Sequence, residues 1–207
     1  GPVTYNWNQT GATASWAAPA SWTPARLSPQ LTDILIFDNN GTTTATNVPT
    51  QTIGNLVISN GSNVTLEAAA ATTLTVGNST GTDMVINAGT TLTLGTNSNL
   101  TIAPSATATV DGTLTVGAGR TFTTSGASAV TTVTGTGIVN NSGIITGSLT
   151  GLIFNSGSNY NHTRDGGTVP TAGWNTASNC NITGLTATAP VGLGQTFGNL
   201  NYNSAYT

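Results

Sequence analysis

The residues best suited to chemistry lie together in one polar stretch near the C-terminal end of the chain. These are His162, Arg164 and Asp165. An imidazole near a carboxylate could act as a general acid or base, and the same groups could contact a glycan. A catalytic site also needs partner groups placed around it, and no such partner is close in the sequence. We therefore favour a surface loop in which Arg164 and Asp165 form a local ion pair.

The remaining acids are widely spaced along the sequence, which does not favour a catalytic pair of carboxylates. Glycoside hydrolysis usually uses two facing carboxylates. The least remote arrangement brings Asp83 and Asp111 together on neighbouring coils. Polyuronide lyases commonly combine several acids with basic residues, but this chain has three arginines and no lysine. We predict that the chain is not an enzyme, with a degenerate polysaccharide-active β-helix enzyme as an alternative.

The cysteine content limits redox and metal chemistry. Cys180 is the only cysteine, so the chain can form neither an intramolecular disulfide nor a cysteine-based metal site. No basic neighbour in the sequence would activate the thiol, which we expect to be a small buried apolar group. We expect no cofactor and no metal.

Threonine pairs flank a central leucine in three similar units. Because side chains alternate between the two faces of a strand, both threonines of each unit should point outward when the leucine points inward. Regular outward threonines on a flat solenoid resemble ice-binding surfaces. The plainer interpretation is a solvent-facing surface with little charge. The threonines concerned are Thr73, Thr75, Thr91, Thr93, Thr113 and Thr115.

These units belong to a longer repeat between Leu56 and Val116, in which short apolar and polar alternations are separated by Gly, Asn, Ser or Ala. Alternation at period two predicts half-buried strands. Many short strands at a small step predict a solenoid. We expect an all-β, right-handed, single-stranded parallel β-helix. The steps of 8 to 10 residues between strands fit two or three strands in each turn, and we favour three.

The composition excludes several classes of partner. Only 4% of the residues are charged and the net charge is −3, so there is no basic surface for nucleic acid or for an anionic membrane. No apolar run approaches the length of about 18 residues that a membrane-spanning helix needs. We therefore expect neither nucleic-acid binding nor membrane insertion.

An aromatic segment precedes the repeat. Residues 3–30 contain three of the four tryptophans, and we expect them to cap the open end of the solenoid core. Arg26 and Asp33 could pair across this cap, and Asp33 to Phe37 should form the first full strand. Sugar stacking is the alternative role for Trp16 and Trp22.

The predicted organisation has three parts. Residues 1–2 look like a tag remnant, residues 3–30 form the cap, and residues 31–207 form the coils, with a polar loop region near 155–175. We expect the chain to be part of a longer protein. Candidate ligand contacts are Trp16, Trp22, Tyr160, His162, Arg164 and Trp174.

Two stretches of the chain resemble a known family. The first is the SWTPAR segment at 21–26 with the strand at 33–37, and the second contains NYNH at 159–162, GGTVPTA at 166–172 and NCNITG at 179–184. They are similar to secreted Bacteroidetes cell-surface β-helix proteins, and loosely to autotransporter passengers. The resemblance implies export by type IX secretion, further domains in the parent chain and no catalytic residues to transfer.

These observations predict a non-catalytic extracellular module, secreted or on the cell surface. It would be a rigid β-solenoid stalk or an adhesin segment that binds glycans or other surface proteins. An ice-binding solenoid that uses outward Thr-x-Thr rows is the alternative from a different functional class.

Overall fold

The computed structural model describes residues 1–77, 79–124 and 126–203. They form strands and one short 3-10 helix, Pro19–Ser21. The strands are β1 Thr4–Trp7, β2 Thr13–Ser15, β3 Trp22–Thr23, β4 Ile34–Phe37, β5 Thr42–Thr46, β6 Gln51–Ile53, β7 Asn55–Ile58, β8 Asn63–Leu66, β9 Thr72–Val76, β10 Met84–Ile86, β11 Thr91–Leu94, β12 Ser98–Ile102, β13 Thr107–Val110, β14 Thr113–Val116, β15 Thr121–Thr123, β16 Val130–Val133, β17 Ile138–Asn141, β18 Ile144–Thr146, β19 Leu152–Phe154, β20 Asn159–His162, β21 Gly173–Trp174, β22 Asn179–Ile182 and β23 Asn199–Tyr202.

The strands build three sheets that wrap one core in about seven turns. The first sheet has nine strands, in the order β21-β19-β16-β13-β10-β7-β4-β1-β3. The second also has nine, in the order β2-β5-β8-β11-β14-β17-β20-β22-β23. The third has five, in the order β18-β15-β12-β9-β6. The predicted all-β parallel solenoid is confirmed, with three strands in each central turn.

The core is a set of stacked aliphatic side chains. Leu92 pairs in register with Val64 on one side and Leu114 on the other, and all three are completely buried. Thr93, the next residue, points to the opposite face and is half-buried. The alternation along each strand therefore separates the core from the surface. At the corners the chain turns sharply, and Asn60 and Gly61 adopt successive positive φ values of 52° and 70°.

The N-terminal end of the core is closed by aromatic rings. Trp22 packs edge-on against both Trp7 and Trp16, with ring centroids 4.9 Å and 5.1 Å apart, and Phe37 lies beneath this cluster. Strand β3 pairs antiparallel with β1 and covers the edge of the first sheet. An aromatic cap is therefore present, in agreement with the sequence.

Two details of the cap refine the prediction. Strand β1 pairs in parallel with β4, so the first strand of the solenoid is Thr4–Trp7. The prediction that Asp33 to Phe37 forms the first full strand is therefore wrong. The expected pairing of Arg26 with Asp33 is confirmed, with Nε to Oδ2 at 2.8 Å and both side chains buried. This ion pair is buried next to Trp22 of the aromatic cluster, where an unpaired charge would be costly.

Replacing Leu92 with alanine tests the dependence of the fold on its inward side chains. We expect Leu92→Ala to lower the free energy of unfolding by about 2 to 5 kcal/mol, because the variant leaves a cavity between two rigid coils. Thr93→Ala is the matched control, since it shortens the neighbouring outward side chain and should change stability by less than about 0.5 kcal/mol. Urea unfolding followed by circular dichroism measures both. Equal losses in the two variants would contradict the assigned register.

Candidate functional site

The loop region predicted near residues 155–175 contains two strands, at 159–162 and 173–174, and is otherwise irregular. Residues 159–162 form strand β20 of the second sheet, in register with β17 below and β22 above. Tyr160 and His162 therefore point into the core, where both side chains are completely buried. Their alternation with Asn159 and Asn161 is the sequence signal that could have revealed this placement.

A closed hydrogen-bond network holds these two buried rings. His162 Nε2 lies 2.7 Å from the carbonyl oxygen of Gly166, which can only accept, so Nε2 carries the proton. Nδ1 therefore accepts from the Tyr160 hydroxyl at 3.1 Å. That hydroxyl in turn accepts from Asn141 Nδ2 at 2.9 Å. The imidazole has no free nitrogen for proton transfer, and its role in this structure is to tie β20 to the chain that follows it.

Burial sets the protonation of the network. Removal from water lowers the pKa of His162, and the nearby charge of Arg164 acts in the same direction, against the hydrogen bond to Gly166. Burial also raises the pKa of Tyr160. Both rings are therefore neutral in the folded protein near pH 7, which is the state in which the network is complete.

Asp165 has a different partner from the one predicted. Its Oδ1 accepts hydrogen bonds from the backbone N–H groups of Thr186, Ala187 and Thr188, at 2.8 to 2.9 Å. These donors lower the pKa of the carboxyl group. The expected ion pair with Arg164 is wrong: in residues 1–77, 79–124 and 126–203 the salt bridge found joins Arg26 to Asp33. Asp165 instead binds the backbone of residues 186–188, which follow β22, to the preceding coil.

The aromatic candidates lie in the core. Trp16 and Trp22 are 1% and 2% exposed in the cap, and Trp174 stacks on Phe154 with ring centroids 4.4 Å apart. Trp174 also donates from Nε1 to Gln195. With Tyr160 buried as well, none of these rings presents a face on which a sugar could stack. Of the residues named as ligand contacts, only Arg164 reaches the surface.

The two acids considered for glycoside chemistry do not meet. Asp83 comes directly before β10 and Asp111 directly after its neighbour β13, so they lie at opposite ends of adjacent parallel strands. At about 3.3 Å per residue this places them on the order of 13 Å apart along the strands. Asp83 is buried and accepts from the backbone of Thr107 and from Ser79, while Asp111 accepts from the Thr134 hydroxyl. Both carboxylates hold corners of the coil.

The threonine units divide between two faces. Thr91 and Thr93 pair with Thr113 and Thr115 on the second sheet, as one outward row requires. Thr73 and Thr75 instead lie on β9 of the third sheet, so the three units do not form one continuous face. The third sheet has its own threonine column, formed by in-register neighbours on its five strands: Thr52, Thr75, Thr101, Thr123 and Thr146.

The outward threonines of β11 and β14 belong to a larger regular surface whose extent the sequence did not reveal. Two outward columns run along the second sheet, and we call them the polar columns. Their members carry hydroxyl or amide groups, except at one isoleucine. One column contains Thr42, Asn63, Thr91, Thr113, Ile138, Asn159, Asn179 and Asn199; the other contains Thr13, Thr44, Thr65, Thr93, Thr115, Asn140, Asn161, Asn181 and Asn201.

The asparagines of the polar columns bond to one another across the coils. Asn161, Asn181 and Asn201 each donate from Nδ2 to the Oδ1 of the asparagine one coil below, at 2.8 to 2.9 Å. The partners Asn181 and Asn201 are 20 residues apart in sequence. The signal that could have revealed this ladder is the Asn-x-Asn pattern, which recurs at that interval in β20, β22 and β23. The ladder fixes each amide in one orientation.

Comparison with protein-family models, curated proteins and solved structures found no match to this chain. Among the described residues, no group of three or more His, Cys, Asp or Glu could hold a metal ion. None of them belongs to an apolar helix long enough to cross a bilayer. Cys180 is buried, and burial raises the pKa of its thiol to about 12.

The neutral state of His162 predicts how stability depends on pH. A histidine in the unfolded chain takes up a proton near pH 6.5, and the folded chain takes it up at lower pH. The unfolded state therefore binds more protons below about pH 6.5, and the free energy of unfolding should fall with decreasing pH by up to about 1.4 kcal/mol per unit. His162→Gln should remove this slope between about pH 6.5 and pH 5, the range in which the histidine of the unfolded chain takes up its proton.

Urea unfolding at a series of pH values measures this slope. Tyr160→Phe is the control, because it removes the hydroxyl that binds Nδ1 but leaves the imidazole in place, so the slope should remain. A slope that persists in His162→Gln would show that another group causes it.

Proposed function

We propose that this chain is a non-catalytic extracellular surface module, a rigid β-solenoid that binds glycans through the polar columns of its second sheet. The observation that carries the proposal is the register of those columns, which repeat a hydroxyl or an amide along a nine-stranded sheet at every position except Ile138. Threonine hydroxyls and asparagine amides both donate and accept hydrogen bonds. They therefore complement the hydroxyl groups of a sugar chain without needing charge.

The geometry of the sheet supports an extended ligand. Neighbouring strands in a sheet are about 4.7 to 4.9 Å apart, so the columns offer equivalent groups at a regular spacing. The Asn161–Asn181–Asn201 ladder holds its side chains in place before any ligand arrives. Groups that are already ordered lose little conformational freedom on binding, which favours affinity.

The placement of the acids supports a non-catalytic role. Asp33, Asp83, Asp111 and Asp165 all accept hydrogen bonds from neighbouring chain or side-chain groups that fix the coil or the cap. Asp83 and Asp111 lie at opposite ends of adjacent parallel strands rather than opposite each other. The location outside the cell, the type IX export and the further parent-chain domains rest on the resemblance of the segments at 21–26 and 159–184 to Bacteroidetes surface proteins.

A glycan array tests the proposal directly. We expect selective binding by the wild-type chain and a loss of at least about tenfold in affinity for Thr93→Tyr, which places a bulky ring in the middle of the polar columns. Thr101→Tyr is the matched control, since it makes the same change on the third sheet and should leave binding unchanged. Binding that survives Thr93→Tyr and fails with Thr101→Tyr would move the site to the other face.

Ice binding is a second candidate, favoured by the threonine column of the third sheet. That column is uniform, from Thr52 to Thr146, whereas the asparagines of the second sheet largely satisfy one another. Free hydroxyl and methyl groups at a constant spacing suit an ordered water layer. Thermal hysteresis that disappears in Thr101→Tyr and persists in Thr93→Tyr would support this candidate. Its absence in the wild-type chain would exclude it.

A further inference from the structure

Arg164 has no ion-pair partner among residues 1–77, 79–124 and 126–203. It follows β20 at the corner between the second and third sheets and is half-buried. Its Nη1 donates to the carbonyl oxygen of Gly143 at 2.7 Å, and we find no other hydrogen bond from its guanidinium to residues 1–77, 79–124 or 126–203. A guanidinium has five N–H donors, so most of them are left for a ligand.

The chain holds this side chain in place. The guanidinium crosses directly over Gly167, where a Cβ atom would lie 2.7 Å from Nε. Gly167 also has a positive φ of 76°, which favours glycine. The bond to Gly143 fixes the other side of the group. A partly buried cation held rigidly in this way is prepared to bind an anion with little loss of side-chain freedom.

The acid that could neutralise Arg164 is turned away from it. Asp165 Oδ1 accepts from three backbone N–H groups in the segment 186–188. Arg26 shows the opposite arrangement, since its guanidinium is buried against Asp33 and has no charge left to offer. The guanidinium of Arg164 is therefore available to a carboxylate from outside the chain.

Arg164 lines a small cleft. The cleft has a volume of about 260 Å³, and its other lining residues are Gly143, Ile144, Ile145, Gly167 and Thr168. Ile144 is 53% exposed and forms an apolar wall, while the Thr168 side chain adds a hydroxyl. Drug-sized ligands occupy pockets of about 300 to 1,000 Å³, so this cleft suits a single sugar ring.

We propose that this cleft binds the carboxylate of a uronic acid within an acidic polysaccharide. The guanidinium of Arg164 binds the carboxylate with two parallel N–H donors, a geometry that lysine cannot supply. The apolar face of the sugar ring packs on Ile144, and Thr168 bonds to a ring hydroxyl. The inference rests on the proposed glycan binding and adds the ligand class, because the neutral polar columns alone do not select an acidic chain.

Isothermal titration with tetragalacturonate and with its fully methyl-esterified form tests the charge requirement. We expect the acidic form to bind at least about tenfold more tightly, because esterification removes the carboxylate that Arg164 binds. Arg164→Gln should abolish that preference. Arg120→Gln is the matched control: it removes the same charge from another arginine without an acidic partner among the described residues, and it should leave the preference unchanged.

Arg164→Gln also removes the hydrogen bond to Gly143, so a loss of binding in this variant could reflect a change in structure. A second variant that keeps Arg164 separates the two causes. Ile144→Glu places an acid at the exposed mouth of the cleft and keeps the arginine bonded as before. We expect it to abolish binding of tetragalacturonate through repulsion and through competition for the guanidinium. Melting temperatures within a few degrees of wild type establish that each variant is folded.

Equal binding of the acid and the ester would overturn the proposal, and so would an equal loss in Arg120→Gln and Arg164→Gln. Unchanged binding by a folded Ile144→Glu variant would also overturn it. The same holds for equally tight binding of tetraglutamate, which carries carboxylates without sugar rings. Selective binding of neutral glycans with no binding of tetragalacturonate would overturn this inference but leave the proposed function standing. Failure of every glycan on the array would overturn both.

Discussion

The structure depends on the register between neighbouring coils. Each strand bonds along its backbone to an equivalent strand one turn away, so the side chain above Leu92 or Leu114 must also fit the core. Corners of different length are tolerated because they lie outside this register. The hydrogen bond from Asn55 to the carbonyl oxygen of Thr82 in the next coil spans 27 residues, whereas the bond from Asn201 to Asn181 spans only 20. The stacking of strands is therefore conserved along the molecule although the length of the turn is not.

The same constraint determines which polar groups can lie inside. A polar residue at an inward position is shielded from water, so the partners open to it are the residues stacked above, below or beside it. Asn141, Tyr160 and His162 meet this condition by bonding in series. Arg26 and Asp33 meet it as an ion pair. Arg164 lies at a corner, where one side is open, and only there can a charged group remain available without a large cost of desolvation.

The sequence allowed the strands and the solenoid to be predicted, because alternation at period two is a local property. It did not reveal how far around the coil each strand lies. Residues 73–75 and 91–93 have the same sequence, Thr-Leu-Thr, yet they occupy different sheets because the corners between them set the angular position. The partners of Asp165 were equally hidden, since its donors are backbone groups 21 to 23 residues away. The burial of His162 could have been predicted from its alternation with Asn159 and Asn161.

The direction of the inter-coil hydrogen bonds has a mechanical consequence. The strands run around the axis of the solenoid, so the backbone bonds between them lie along it. A force that pulls the two ends apart loads these bonds a few at a time, as in opening a zipper, rather than all together as in shearing. The molecule should lengthen in steps of one coil, each releasing roughly 70 Å of chain for a turn of 20 residues. A tether of this kind would limit the peak tension on whatever it holds.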